Sequence, residues 1–422
     1  MAGVLTVHTA DVVLPIVSEA IPDGAVVVDG ASIAAIGPRD DVLAAHPAAR
    51  VREHRGVLTP GLVNAHAHLQ YTDFADLAST GKPFPEWIAM VAARRSTFDD
   101  AAWQSSARRG IHLALSSGTT AVADIVTDPA VLPTLARSGL AGTAYLEALL
   151  LDSAGWATRG SAFADLLVQP GGPNAVGVSP HTLYTLGTEV FQDLLRLARD
   201  KGLRTHTHLA ESAAEAEYVL TGTGPFADFA ARFAMDFELI GAGAGVSPAR
   251  HLADLGGLGP DVHVAHGVHL DAADRLLLRQ SGTYVALCVR SNAILKAGEP
   301  PVADYLREGN PFGIGTDSLA SSPSLDLLEE AAATRAVALA QGYAADDLDR
   351  RLVEALTLGG AGAMGLSDAG RLAVGVRADL AVFDVSTAGD PYTALLDHGA
   401  GTCTATVLGG RLVHRSAAEE TV

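Results

Sequence analysis

Cysteine is almost missing from this 422-residue chain, which has only Cys288 and Cys403. Two thiols cannot build the disulfide framework of a small secreted domain, nor can they supply a cysteine-rich zinc site. Lysine is nearly as rare and is confined to Lys82, Lys201 and Lys296. Positive charge is short overall: 29 Lys and Arg stand against 48 Asp and Glu, for a formal net charge of −19. Phosphate backbones and anionic lipid repel such a chain, so nucleic acid and membrane surfaces are poor partners and a small molecule is the better one. Nowhere is there a run of about 18 uncharged apolar residues, the length a membrane helix needs. The opening segment MAGVLTVHTADVVLP lacks the basic region and long apolar stretch of a signal peptide. The chain therefore reads as a soluble cytoplasmic protein, and a homodimer is left open.

The hydrophobic share is 48% against 18% charged, enough to bury a large core. The length suits one large barrel plus a smaller domain. Residues 1–59 read as short strands and turns, with alternating segments at 24–29 and 31–37. Residues 369–422 read the same way, with strands near 379–384, 404–409 and 411–414. Together these ends predict a small β-sandwich domain built from 1–59 plus 369–422. The middle, 60–368, alternates. Short β-type runs fall near 61–66, 119–124, 141–147, 176–182, 204–209, 262–267, 284–289 and 311–317. Helix-compatible stretches such as 189–201, 271–280 and 324–341 separate them. Eight strands alternating with helices predict a (β/α)₈ TIM-type barrel, whose chemistry lies at the C-terminal strand ends.

Those ends carry metal-ligating residue types. The first strand closes on His66 and His68, two apart and hence on one face. The fifth ends in His206 and His208, with Glu211 three residues on. The sixth ends at His266, with His269 beyond, and the eighth at Asp317. Four strands thus bring His or Asp to one rim. Imidazole and carboxylate donors suit Zn²⁺, with Fe²⁺ as second choice. Such an ion lowers the pKa of a bound water towards ~7. Asp317 is placed to take a proton from it, and Glu211 can act as a further acid/base group.

In these segments the sequence resembles the amidohydrolase superfamily, and most closely its cytosine- and adenosine-deaminase-like branch. The matching pieces are 60–68, 208–211, 265–270 and 315–321, and the resemblance spans nearly the whole chain. It implies that His66, His68, His208 and Asp317 bind one divalent metal per chain. It also implies that His266 contacts the attacking hydroxide, and that Glu211 carries a proton to a ring nitrogen during hydrolytic deamination. Two-metal relatives bridge their ions with a carboxylated lysine on the fourth strand. No lysine lies between Lys82 and Lys201 here, so a mononuclear site is expected.

The resemblance also gives His181, at the end of the fourth strand, a contact with substrate. Glu86 is a candidate acceptor for ribose hydroxyls or else an ordinary helix-start glutamate, and Trp87 either packs on substrate or anchors that helix. Arg290 could hold a substrate carboxylate, with Arg94, Arg95 and Arg159 as other candidates. Cys288 reads as barrel filling. Within the branch the chain looks most like the aminodeoxyfutalosine deaminases, which act on an adenine nucleoside bearing a carboxyphenyl group. Deaminases of adenosine or of methylthioadenosine and S-adenosylhomocysteine are the near alternatives. Hydrolysis of a triazine or another non-nucleoside ring is the more distant one.

Overall fold

The computed structural model describes residues 5–168 and 174–416. Eight strands form a parallel sheet in chain order: Leu62–Ala67, Thr119–Val126, Ala141–Ala148, Asn174–Pro180, Thr205–Leu209, Val262–His266, Tyr284–Leu287 and Phe312–Ile314. All eight coincide with the runs read from sequence to within a few residues, and helices separate them. The seam between the first and eighth strands is closed by polar groups. Asn64 Oδ1 accepts from the backbone N–H groups of His66 and Thr316, each at 3.2 Å, and Asn64 Nδ2 donates to Thr316 Oγ1 at 2.8 Å. Above it, the Asp317 N–H donates to the His66 carbonyl at 3.0 Å. The barrel is thereby a (β/α)₈ architecture.

Inside the barrel, Val63, Ala121, Ala123, Ile125 and Tyr145 form one buried cluster with Ala361 and Met364. The last two belong to the short helix Gly360–Met364, which packs on strands from both sides of the seam and plugs the N-terminal end. On the second strand Val122 and Val126 point the other way, into the larger cluster beneath the helices. This alternation is the period-2 pattern of a strand buried on both faces. With its floor filled, the barrel opens only at the rim where the sequence places its histidines.

Strands from both termini form a second, separate sheet in the order Arg411–Arg415, Cys403–Leu408, Leu380–Phe383, Val57–Pro60, Thr6–Val13, Ile21–Asp29, Ser32–Pro38, with Arg50–Glu53 also paired to Thr6–Val13. The two termini meet where Leu58 pairs antiparallel with Val382. The sheet is continuous, and its ends curl together. Ala378 N donates to the Ala31 carbonyl, and Gly410 N donates to that of Ala378, each at 2.8 Å. Val26, Val28, Ala405 and Val407 consequently share one apolar core. Two segments read as strand or turn are helices instead. Arg39–Ala45 is one. The other is Pro391–His398, capped by Asp390 with Pro391 at its first turn, which packs on the barrel helices Leu327–Ala340 and Leu348–Glu354. No helix among the described residues is long and apolar enough to cross a membrane.

Candidate metal centre and substrate cleft

His66, His68 and His208 each offer a nitrogen within 4.8 Å of the others, and His66, His266 and Asp317 converge in the same way. Asp317 Oδ1 lies 3.6 Å from His66 Nε2 and 3.5 Å from His68 Nε2. All five side chains are buried. The backbone aims them by turning left-handed at the strand ends. Ala210, His266 and Asp317 have φ of 52°, 75° and 58°, a region non-glycine residues enter only when their surroundings compel it. Here Glu215 supplies the restraint: its carboxylate accepts from Ala210 N at 2.8 Å and Glu211 N at 2.9 Å.

Hydrogen bonds to the backbone fix which ring nitrogens carry protons. His206 Nδ1 can only donate to the His263 carbonyl, 3.2 Å away, so its Nε2 accepts from His66 Nδ1 at 2.8 Å. His66 Nε2 is left with its lone pair, buried and without a hydrogen-bond partner. His208 Nδ1 likewise donates to the His181 carbonyl at 3.1 Å, freeing Nε2. His266 has the opposite arrangement. Asn292 Nδ2 donates to its Nδ1 at 3.1 Å, so Nε2 carries the hydrogen and faces Glu211 Oε1 at 3.6 Å. An orphaned buried imidazole nitrogen, a second freed one and a carboxylate fit a divalent ion such as Zn²⁺. Glu147, His181 and His208 form another convergent trio. His208 has one free nitrogen, so it can serve only one ion.

Burial dominates the electrostatics. It lowers the pKa of His68 to about 4 and of His266 to about 3, keeping both neutral despite Asp317. Asp317 itself is also penalised by burial, but the surrounding His66, His68 and His266 outweigh that and hold it well below the usual carboxylate range. Ser291 and Ser321 donate to its Oδ2 at 2.6 and 3.0 Å. Glu211 is displaced the other way: burial first, then Asp317 and Glu215, push it well above the ordinary glutamate value.

His68, His208, Glu211, His266 and Asp317 form the base of an open cleft. The helix Phe84–Arg95 covers one side and turns Phe84, Trp87, Ile88, Val91, Ala92 and Arg95 towards it. His181 lines the opposite wall with Glu147, whose Oε1 lies 3.8 Å from His181 Nε2 and has no hydrogen-bond partner. Trp87 lines the cleft and anchors its helix, donating from Nε1 to the Ala320 carbonyl at 2.9 Å.

Two expected substrate contacts are not in this cleft. Glu86 points outwards and pairs with Lys82 at 3.2 Å. At about 100° per residue it falls opposite the stripe formed by residues 84, 87, 88, 91 and 95. Arg290 is held beneath the rim by Glu329 at 2.8 Å, Glu330 at 3.5 Å and Ser324 at 3.1 Å. Those partners hold its guanidinium away from the cleft, whose lining does not include it. Among the other arginines, Arg94 pairs with Asp76 and Arg159 donates to the Leu150 carbonyl. Arg95 alone lines the cleft. Glu147 had no place in the sequence reading. Its position at the end of the third strand, next to the rim, was the available signal. Cys288 is buried, with its thiol pushed up by burial, as expected of filling.

Comparison with known proteins follows the same lines. Residues 57–413 match a family model described as the amidohydrolase family, and residues 24–49 match one for a bacterial imidazolonepropionase-like composite domain. A 5-methylthioadenosine/S-adenosylhomocysteine deaminase of Haloarcula marismortui is 31% identical over 344 residues, covering 78% of this chain and 73% of the relative. An aminodeoxyfutalosine deaminase of Deinococcus radiodurans is 32% identical over 335 residues, covering 76% and 78%. Among solved structures, the aminofutalosine deaminase of Helicobacter pylori superposes with a TM-score of 0.83 at 22% identity, covering 97% of this chain and all of that one. A zinc-bound adenosine deaminase of Xanthomonas campestris gives 0.81 at 23%, covering 97% and 93%. With the family model spanning most of its length, this chain belongs to the amidohydrolase family.

Proposed function

We propose that this protein catalyses hydrolytic deamination of a 6-aminopurine nucleoside, with aminodeoxyfutalosine as first-choice substrate. The observation that carries the reading is the meeting of Glu211 with His66, His68, His208 and Asp317 at one cleft base. Relatives named as deaminases of such nucleosides support it. His66, His68, His208 and Asp317 would hold one divalent ion, which when bound supplies Lewis acidity that makes water a nucleophile near neutral pH.

The chain's own groups do the rest. His266 presents an N–H to the attacking oxygen and orients it. Glu211, its carboxyl pushed up by burial, takes a proton from the attacking water and passes it to the purine N1. The water oxygen bonds to C6, its second proton passes to the 6-amino nitrogen, and the C6–N bond breaks, so ammonia leaves and a carbonyl remains at C6. His181 bounds the nucleoside from the fourth strand. The aromatic helix face covers the site from water.

Two measurements test this. Ammonia release and the absorbance change on loss of the 6-amino group should be seen with aminodeoxyfutalosine, adenosine or methylthioadenosine, most efficiently the first. An adenosine kcat/KM higher by about tenfold would move the substrate to the plain nucleoside. Glu211→Gln should lower kcat on the order of 10²–10⁴-fold with zinc content near that of the parent. Unaltered turnover would remove Glu211 from proton transfer.

A further inference from the structure

Arg95 is the only lysine or arginine among the residues lining the cleft. Several arginines of this acidic chain, which has 48 acidic and 29 basic residues, are held by a carboxylate. Arg94 has Asp76, Arg109 has Asp73, Arg275 has Glu308 and Arg335 has Asp349. The Arg95 guanidinium has no ion pair or hydrogen bond among the described residues, and its Nε is buried without a partner. It is half-buried at the end of the apolar stripe Phe84, Trp87, Ile88 and Val91, so the same helix face that is greasy over most of its length ends in a guanidinium. Its charge acts on His181 and Tyr71, which line the same cleft. A buried N–H donor without a protein acceptor costs free energy unless a ligand supplies one.

We propose that Arg95 is the specificity residue of this cleft, and that the physiological substrate carries a carboxylate which Arg95 binds. The identity of the anion follows from charge and shape. One guanidinium balances one negative charge and matches a planar carboxylate bidentately. A phosphate monoester dianion would need a second cation, and none lines the cleft. The apolar part of the substrate lies along Trp87, Ile88 and Val91. This deepens the deaminase reading and rests on it for the reacting end of the molecule.

The test uses the zinc-loaded full chain and a matched pair of substrates, 5′-(2-carboxyethylthio)-5′-deoxyadenosine and its methyl ester. The parent enzyme should prefer the acid in kcat/KM by about 10–100-fold, the size expected of a charged hydrogen bond in a dry site. Arg95→Met should erase that preference by lowering turnover of the acid while leaving the ester within about twofold. Arg95→Lys should retain part of it, and Arg94→Met, which removes a guanidinium that pairs with Asp76 and does not line the cleft, all of it. Equal use of both compounds by the parent, or an equal loss on both in Arg95→Met, overturns the proposal. If the parent deaminates no aminopurine at all, the deaminase reading fails separately. Calorimetric binding of 4-butylbenzoate against 4-butylbenzamide then decides for Arg95: acid preference lost in Arg95→Met supports it, and preference retained overturns it.

Discussion

The Nδ1–H of His66 is committed to His206, and His206 is in turn committed to the His263 carbonyl. Nothing in this relay touches substrate, yet it decides that His66 offers a lone pair rather than a proton. His206→Phe preserves the ring stacked 3.8 Å from His263 but removes both hydrogen bonds. Loss of such outer partners costs metal affinity about 10–100-fold. Competition for zinc against a chromophoric chelator should show that loss, and an affinity within about twofold of the parent would mean His66 is oriented without it. The metal-ligand candidates were legible in sequence because two-residue spacing on a strand fixes a shared face. Glu86 and Arg290 were misplaced because their positions depend on partners far along the chain. Lys82 draws Glu86 outwards, and Glu329 and Glu330 claim Arg290. The helical stripe at 84, 87, 88, 91 and 95 was visible in principle and would have favoured Arg95 over Glu86.

At the scale of elements, the seam between the first and eighth strands carries the site. Gly315 follows the eighth strand and packs directly on the first. A Cβ there would lie 2.7 Å from His66 N and 2.8 Å from both His66 Cβ and His66 O. None of these atoms can yield without moving the strand that presents His66. Gly315→Ala should therefore cost on the order of 1–3 kcal/mol in urea unfolding and reduce zinc occupancy as well. Gly389→Ala, with nothing within 4 Å of the added carbon, is the control and should change neither. Normal zinc content in Gly315→Ala would mean the seam tolerates separation without disturbing the ligands. The strands themselves were readable because each is a short apolar run bounded by turn residues. The helix Pro391–His398 was not, because its eight residues are stabilised by packing on barrel helices rather than by a marked periodicity of their own. Its Asp390–Pro391 start was the one local signal.

For the whole molecule, two sets of buried groups pull stability in opposite directions with pH. Burial lowers His8 and His266 to about 3 and His68 to about 4, from an unfolded value near 6.5. A depressed folded pKa means the unfolded chain binds the proton first, so their contribution is full above about 6.5 and drains away as pH falls towards 3–4. Burial raises Asp124 and Glu330 to about 8 and Glu215 to about 7. A raised carboxyl contributes fully below its unfolded value near 4 and loses that contribution as pH climbs through 7–8. Between about 4 and 6.5 the two slopes oppose each other; outside that window only one acts. The metal-free protein should thus be most stable between about pH 4.5 and 6.5, weakening on either side. Metal binding changes the balance, because His66, His68 and His208 must be unprotonated to hold an ion and the bound state gains by mass action. Urea midpoints measured from pH 3.5 to 9 should peak at a higher pH for zinc-loaded than for chelator-stripped protein. Stripped protein most stable at pH 8 would show that the buried carboxyls do not hold their protons in the fold. Coincident curves would show that the ion is held elsewhere than on these histidines.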